Sequence, residues 1–564
     1  MIQPSAEFLI PAQLSLRVLS DAICERLTCS REPDRTLGRR FFDTFDWRLY
    51  LAGASLEWCF SESADSAAPG STGAGDTVVS KPVLYWRELG ESKSEPLQQR
   101  SSAPPGLLTE IPAGPVRDRL NPLLEMRRLL PMADVVSQRI ILRLLNGDEK
   151  TVVWLTIESN RCNHPDSGAS AESALAGRLR LQAVRGYGGA FEHAERFVEH
   201  ELGLARFHAP LALEAFAAAG RSPGSYSSKL NYRLDPSQRA DRATKTIHLG
   251  LLATLEANIE GTRQNLDSEF LHDLRVAVRR TRSALSQIKG VFPDDVVADF
   301  KERFAWLQEI TGPMRDLDVY LLDLPAMEQR LPRSLRPELG SLRDLLTDQY
   351  AEVQRKLAQA LGSEQFRRLL KDWRGFLDRP VLVDPLLEPD RSGASAEPPR
   401  CASQPIKQVA DQRIRKMLKR VRAEGRSIHE DSLPEELHEL RKSCKKLRYL
   451  LEFFESLYEK KAVREQIKQT KRLLDNLGRF QDTAVQALHL RETADWKGCE
   501  QGGLPVGTLL AMGALIGNLL DEQRRARAAF DEVFQHFDSA ENAARFDALL
   551  ANAPGLQGQS RSSR

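Results

Sequence analysis

Apolar positions in the first two hundred or so residues come in short runs, while in the rest of the chain they recur with the period of a helix. The runs "RRFFDTF" (39–45), "KPVLYWREL" (81–89), "SQRIILRLL" (137–145), "TVVWLTIES" (151–159) and "RLRLQAV" (178–184) include several rich in β-branched or aromatic residues and bounded by Gly, Pro or Asn, which predicts strands. Two helices are predicted among them, over "LSLRVLSDAICERL" (14–27) and "FEHAERFVEHELGL" (191–204). The Ser/Ala/Gly-rich stretches 61–76 and 164–177 read as loops. From Asp241 onward the pattern is helical nearly to the end. The segment Gly220 to Gln238 separates the two textures, and a Pro/Ser-rich stretch at 389–405 divides the helical part. The predicted plan is a sheet domain over 1–219, a linker over 220–238, a helical domain over 239–540 with halves at 241–388 and 406–540, and a tail over 541–564. The run "LPVGTLLAMGALIGNLL", Leu504 to Leu520, holds three glycines and an asparagine and falls short of ~20 clean apolar residues, so it reads as a core helix and not as a membrane span.

The helical part repeats itself. "HDLRVAVRRTR" begins at His272 and "HELRKSCKKLR" at His438, and 438 − 272 = 166. At that offset, without a gap, Arg275 pairs with Arg441, Arg279 with Lys445, Arg282 with Arg448, Gly312 with Gly478 and Asp316 with Asp482. Two copies of one helical unit follow, longer than a solenoid repeat and so better read as a pseudo-symmetric pair of bundles. On a wheel of ~100° per residue, His272, Arg275, Arg279 and Arg282 share an arc of about 80°. Leu271, Leu274, Val278, Thr281 and Leu285 take another. His438, Arg441, Lys445 and Arg448 form the same stripe in the second copy, with Leu437, Leu440, Cys444, Leu447 and Leu451 as its apolar face. Arg280 and Lys446 lie beside these stripes, and Arg413, Lys416 and Arg420 form a further basic arc on the helix before the second copy.

A solvated face usually mixes Lys with Glu at i,i+4, and neither stripe contains an acid. Like charges at this spacing repel unless an anion compensates them, and arginine suits bidentate contact with phosphate or carboxylate. The anion can be external, or it can be Asp316, Asp318 or Asp482 from the next helix. The histidines read equally well as helix-packing residues.

Composition changes this picture little: 80 bases against 78 acids leave a net charge of +2, so only local clustering speaks about partners. Seven scattered cysteines without CxxC or Cys/His ligand spacing predict neither a zinc site nor a disulfide framework, and fit a reducing cytoplasm. No signal-peptide pattern opens the chain.

The segments "LHDLRVAVRRTR" and "LHELRKSCKKLRYLLEFF", each followed by a helix ending near "GPMRDLDV" or "GRFQDTAV", resemble the CHAD family over about 240–537. The resemblance implies two helical bundles around a basic groove that binds inorganic polyphosphate through His272, Arg275, Arg279, Arg280, Arg282, Arg413, Lys416, Arg420, His438, Arg441, Lys445, Lys446 and Arg448. "FLIP", "RRFFDTFDWRLYLAGASLEW", "LLEMRRLLP" and "AVRGY" make the N-terminal half similar to a CYTH domain, which implies an antiparallel β-barrel with a tunnel, in many members a metal-dependent triphosphatase. The family's catalytic pattern is broken here. Gln3, Ser5 and Glu7 stand where two acids and a lysine belong, Glu57 and Cys59 replace two bases, and Arg180 and Gln182 stand where acids are usual. Arg87, Glu158 and Arg185 remain. Hard cations need clustered oxygen ligands and a triphosphate needs bases, so the expectation is an α+β chain that binds polyphosphate without catalysis, cofactor or metal. The alternative is a divergent triphosphate or polyphosphate hydrolase. Nucleic acid fits poorly because the ladders lack interleaved aromatics, no membrane contact is expected, and association with polyphosphate granules is a family-level extension.

Overall fold

The computed structural model describes residues 4–61, 81–90, 96–163, 172–380, 399–498 and 503–551. The chain divides into two compact units, Met1–Ser227 and Ser228–Arg564. Gln3, most of the two Ser/Ala/Gly-rich stretches, residues 389–398 and the final "GLQGQSRSSR" lie outside the described residues.

The first unit is built on nine antiparallel strands: β1 (Ser5–Ile10), β2 (Cys29–Arg31), β3 (Arg35–Thr44), β4 (Ala54–Ser61), β5 (Val83–Glu88), β6 (Leu97–Arg100), β7 (Leu129–Leu145), β8 (Thr151–Asn163) and β9 (Glu172–Ala183). They run in the order β1-β9-β8-β7-β3-β4-β5-β6, with β2 added to β7. The antiparallel sheet and the α+β plan are as expected, and the sheet is not closed among the described residues, because its path ends at β1 and β6 without pairing them. Five helices accompany the sheet: α1 (Leu16–Arg26), α2 (Arg48–Leu51), α3 (Pro115–Leu124), α4 (Gly188–Arg196) and α5 (Leu211–Ala218). β9 begins at Glu172, so the end of the second predicted loop is strand, paired to β8 from Asn163↔Glu172 onward. α1 packs on the long strands through Leu19 and Ile23, beside Phe8, Leu142 and Leu155. Where α1 gives way to β2, the Cα atoms of Cys24 and Cys29 lie 5.5 Å apart and a disulfide joins them. No such bond was expected from the scattered cysteines, and it removes their support for a reducing compartment.

The second unit is helical: α6 (Ala240–Arg263), α7 (Ser268–Gln287), α8 (Asp294–Ile310), α9 (Gly312–Arg330), α10 (Gly340–Leu361), α11 (Glu364–Asp378), α12 (Ile406–Arg426), α13 (Pro434–Phe453), α14 (Lys460–Gly498), α15 (Val506–Ala528), α16 (Phe530–Phe537) and α17 (Ala540–Ala551). The repeat governs all of it. α6, α7, α8, α10 and α11 start at 240, 268, 294, 340 and 364, and α12, α13, α14, α15 and α16 start at 406, 434, 460, 506 and 530, each 166 later. The first copy breaks at Thr311, between α8 and α9, where the second runs on as the single long α14.

The two copies meet about a pseudo-twofold axis, and the hydrogen bonds show it. Ala240 N–H donates to Gln404 C=O and Ile406 N–H to Gln238 C=O, both at 2.8 Å, and each bond becomes the other on adding or subtracting 166. Asp241 N–H to Ala402 C=O and Lys407 N–H to Pro236 C=O form a second such pair, at 3.1 and 3.3 Å. Farther along, the rings of Tyr320 and His489 lie 5.2 Å apart while Gln486 Nε2 donates to Asp323 Oδ2 at 3.2 Å, the same exchange of positions. Reciprocal contact of this kind is the mark of a twofold interface.

Residues 541–551, expected as tail, belong to the helix α17, which buries Phe546, Leu549 and Leu550 in the main core. At the repeat offset this helix matches residues 374–385, beginning within α11, so it completes the second copy. α15 is a core helix on one side only, burying Thr508, Ala511, Met512, Leu515, Leu519 and Ala526. Among the described residues no helix is long and apolar enough to cross a membrane.

Candidate functional site

α7 and α13, the two copies of the basic helix, pack against each other. Local sequence fixes where each begins. The Asp267 carboxylate accepts from the Glu269 and Phe270 N–H groups at the head of α7, and Pro434 opens α13 while Glu436 accepts from the Leu433 N–H. The apolar arcs are buried as predicted: Leu271, Leu274, Val278, Thr281 and Leu285 on one helix, Leu437, Leu440, Cys444, Leu447 and Leu451 on the other. With those faces seated, the basic stripes have one direction left to point.

The neighbouring helix of each copy anchors them. Arg275 Nη1 donates to Gln308 C=O at 2.9 Å and to Thr311 Oγ1 at 2.8 Å, and Arg282 Nη1 donates to Gln308 Oε1 at 2.5 Å. In the second copy Arg441 Nη2 donates to Asp482 Oδ1 at 2.9 Å. Gly312 and Gly478 lie directly beside these guanidinium groups, for a Cβ there would stand in ordinary contact, 3.7 Å from Arg275 Nη1 and 3.6 Å from Arg441 Nη2. His272 and His438 sit one turn earlier, both half-buried.

Charge shows how close the two stripes come. Burial, then the positive charges of Arg441 and Arg279, push the Lys445 ammonium down to about 8, with Asp482 acting against them and Arg448 adding to the effect. Burial and then Arg279 push Arg275 down to about 10, opposed by Asp316 and reinforced by Arg315. Arg279 of the first copy thus bears on Lys445 of the second as well as on its own neighbour. The structure gathers Arg275, Arg279, Arg441, Lys445 and Arg448 into one group of like charges near the pseudo-twofold axis.

Other predicted residues take different places. Arg280 Nη2 pairs with Glu452 Oε2 at 3.0 Å and its Nη1 donates to Ser228 C=O, so this side chain braces α7 to α13. Arg448 lies 3.3 Å from the other oxygen of Glu452. Arg413 donates to Lys289 C=O, Lys416 is exposed, and Arg420 pairs with Glu424. Lys446 is depressed by burial and then by Arg420 and Lys442, a separate basic group shared by α12 and α13. Asp318 turns out not to serve the ladder. It is buried, accepts from Tyr350 Oη at 3.1 Å, and burial raises it to about 6. Arg315 was missed by the repeat argument because its counterpart 166 residues on is Gln481.

In the sheet unit, Glu7, Glu57, Arg87, Glu158 and Arg180, at positions that the CYTH resemblance assigns to catalysis, form ion pairs. Register places Glu158 on β8 between Arg139 on β7 and Arg178 on β9. Arg39 Nη2 donates to both Glu158 oxygens at 2.9 and 2.8 Å, Arg139 Nε lies 2.6 Å from Glu158 Oε1, and Arg39 Nε lies 3.4 Å from Glu57 Oε1. Arg87 Nε bonds Glu57 Oε2 at 3.0 Å, and Cys59 Sγ donates to the other oxygen. Burial alone would raise the pKa of Glu57 and Glu158, yet Arg39 foremost holds both carboxylates below their ordinary range, with Arg87 helping at Glu57 and Arg180 at Glu158. Glu7, standing where a lysine was expected, pairs with Arg178 at 2.7 Å and with Arg180 at 3.2 Å. The charges at these two strands are thus exchanged and still paired. Ser5 faces Gln182 in the register, and Arg185 is exposed beyond the end of β9.

Residues 246–491 match the family model described as CHAD domain. Among solved structures the chain is similar to the CHAD domain from the plant Ricinus communis, at 24% identity over 58% of this chain and 97% of that one, TM-score 0.43. It is similar to PptA from Streptomyces chartreusis at 17% identity over 53% and 100%, TM-score 0.38. HpAC1 from Hippeastrum, described with a dominant triphosphatase activity, aligns at 14% identity over 40% and 100%, TM-score 0.27. No curated protein matches the chain. With the repeated basic helices and their pseudo-twofold arrangement, the helical unit contains a CHAD domain over residues 246–491.

Proposed function

We propose that this chain binds inorganic polyphosphate at the cationic group where α7 and α13 meet, and that its sheet unit is a CYTH-like domain without catalytic activity. The observation that carries the reading is the packing of α7 against α13, which brings the basic stripes of both copies together at Arg279 and Lys445, where burial and then the neighbouring guanidinium groups lower the pKa of the Lys445 ammonium. A fold that holds like charges together in this way gains from an anion that bridges them. A polyphosphate chain offers a charge every few ångströms and can contact Arg275, Arg279, Lys445 and Arg441 in turn. Retention of the full-length chain by long-chain polyphosphate, in competition with RNA and ATP, tests this; equal competition by RNA would count for a general polyanion binder. Association with polyphosphate granules would follow from the same affinity.

The lowered pKa gives the affinity a pH dependence. Below about 8 Lys445 is charged in both free and bound protein, so its contribution is constant. Above that value the free protein loses the proton while a bound polyanion retains it, so affinity should fall with rising pH, by at most about tenfold per unit. Titration calorimetry from pH 7 to about 9 should show proton uptake in the wild type and much less in Lys445→Arg, whose guanidinium stays charged. Equal proton uptake in both would show that Lys445 does not meet the ligand.

No release of phosphate from ATP or tripolyphosphate is expected, with or without magnesium, because Glu57 and Glu158 are already engaged by arginine. Turnover that vanishes in Glu158→Gln would overturn this and favour a divergent hydrolase.

A further inference from the structure

α15 has two faces, and only one of them is used. The buried residues Thr508, Ala511, Met512, Leu515, Leu519 and Ala526 lie on one side. On the opposite side, at spacings of four, three, four and three, stand Val506, Leu510, Gly513, Gly517 and Leu520. Val506 is 74% exposed, Leu510 62% and Leu520 43%, and a Cβ built on Gly513 or Gly517 would meet nothing within 4 Å. From Pro505 to Leu520 there is no charged residue on any side. A helix that is apolar all round is normally covered all round.

The internal repeat supplies a control. α10 is the counterpart of α15, and the positions matching Leu509, Leu510, Gly513 and Leu520 are Arg343, Asp344, Thr347 and Gln354. With Gly340 and Ala351 at the positions of Val506 and Gly517, the same face of the first copy holds small and polar residues and no large apolar one, as a solvated surface should. The fold does not require the apolar version, so it points to a contact.

The centre of the stripe, Leu510 to Leu520, is symmetric about Leu515, and beyond it each apolar residue of the first turn is answered by a charged one. Gly513 answers Gly517 and Leu510 answers Leu520, while Val506 answers Arg524 and Leu509 answers Asp521. A twofold contact between identical chains needs a patch complementary to itself, which no other partner requires. Laid antiparallel on a second α15, the glycines of each helix meet those of the other and let the backbones approach. Each Leu510 then packs on the partner's Leu520. Asp521 of each chain comes to lie over the first turn of the other helix, where the unpaired N–H groups favour a negative charge. We propose that the chain forms a homodimer through antiparallel pairing of α15 on this outward face. The contact is separate from the cationic group on α7 and α13, and the proposal does not depend on the polyphosphate reading.

The test is the mass of the full-length chain in solution, by light scattering and sedimentation equilibrium at tens of micromolar. A dimer is expected, and Leu510→Glu or Gly517→Glu should return it to monomer with an unchanged circular dichroism spectrum, since both positions are exposed, and with a melting temperature that no longer depends on concentration. Asp344→Leu on α10 should leave the wild-type mass as it is. Orientation is read by mixing Gly513→Cys chains with Gly517→Cys chains: oxidation should link unlike chains in preference to like ones. A monomer at every concentration, a dimer indifferent to Leu510→Glu, or preferential linking of like chains would each overturn the proposal. So would flotation of the monomer with phospholipid vesicles, which would assign the face to a lipid surface.

Discussion

Replacing Arg275 and Arg279 together by alanine, or Arg441 and Lys445, should lower affinity for polyphosphate by about ten- to a hundredfold at moderate salt. The loss should shrink as salt rises, because counterion release scales with the number of phosphates neutralised, and the slope of log affinity against log salt should flatten by about one per contact removed. The Arg275/Arg279 variant should be less stable than the parent by about 1–2 kcal/mol, because Arg275 bonds Gln308 C=O and the buried Thr311 hydroxyl. The Arg441/Lys445 variant should be less stable by no more than about 0.5 kcal/mol per site. Stability can even rise. Lys445 is pushed down by burial and then by its charged neighbours, so the folded state binds this proton less tightly than the unfolded one, and below about pH 8 the charged ammonium weighs against folding. Removing Arg279 or Arg441 relieves part of that repulsion. Arg280→Ala is the contrasting variant. It breaks the half-buried pair with Glu452 and the bond to Ser228, so it should cost about 1–3 kcal/mol of stability while leaving affinity nearly intact in the cold. Binding by both double variants equal to wild type, at low and physiological salt alike, would reduce the ladders to solvated faces.

The helical half was legible for a plain reason. Helical periodicity separates a buried arc from an exposed one without reference to anything distant, and Leu274 and Leu440, assigned to the apolar arcs, are wholly buried. The offset of 166 then related the two basic helices before any contact was known, and it holds from the bonds at Pro236 and Ala402 to the start of α16. The errors lie where distant residues decide. Asp318 and Asp482 both offered an acid to the stripes, yet Asp482 meets Arg441 at the surface, and Asp318, whose counterpart in the second copy is Ala484, is drawn under Tyr350. Arg280, next to the stripe on the wheel, found Glu452 on the other copy. The end of the chain looked like a tail because its apolar residues are few and short of context, although Phe546 is fully buried in the core. For the sheet unit, alternation gave strands, but closure of a sheet is a property of its two edges and leaves no mark in any one strand.

The buried charges of that sheet make the last expectation a large one. Arg39 is 5% exposed and stands between Glu57 and Glu158, 2% and 6% exposed. It is the foremost charge that keeps both carboxylates ionised despite burial. Arg39→Met should therefore destabilise the sheet unit by about 3–5 kcal/mol, because removing one partner leaves a buried charge uncompensated. Arg87 and Arg139 would still touch one acid each, which sets the lower end of the range. The lost stability should return in the triple variant Arg39→Met, Glu57→Gln, Glu158→Gln, where no bare charge remains. The sign of the pH effect follows from the depressed pKa of both acids. Their contribution is present in full above the ordinary carboxylate range and is lost as pH falls through the lowered values, so wild type and Arg39→Met should converge in strong acid. Urea unfolding of the full-length chain, followed through the tryptophans of the sheet unit at neutral and acid pH, measures all of this. A metal-binding carboxylate pair would behave in the opposite way, with Arg39→Met tolerated and rescued by a divalent cation. Rescue by magnesium or manganese, in place of rescue by the two glutamines, would return these acids to a catalytic role.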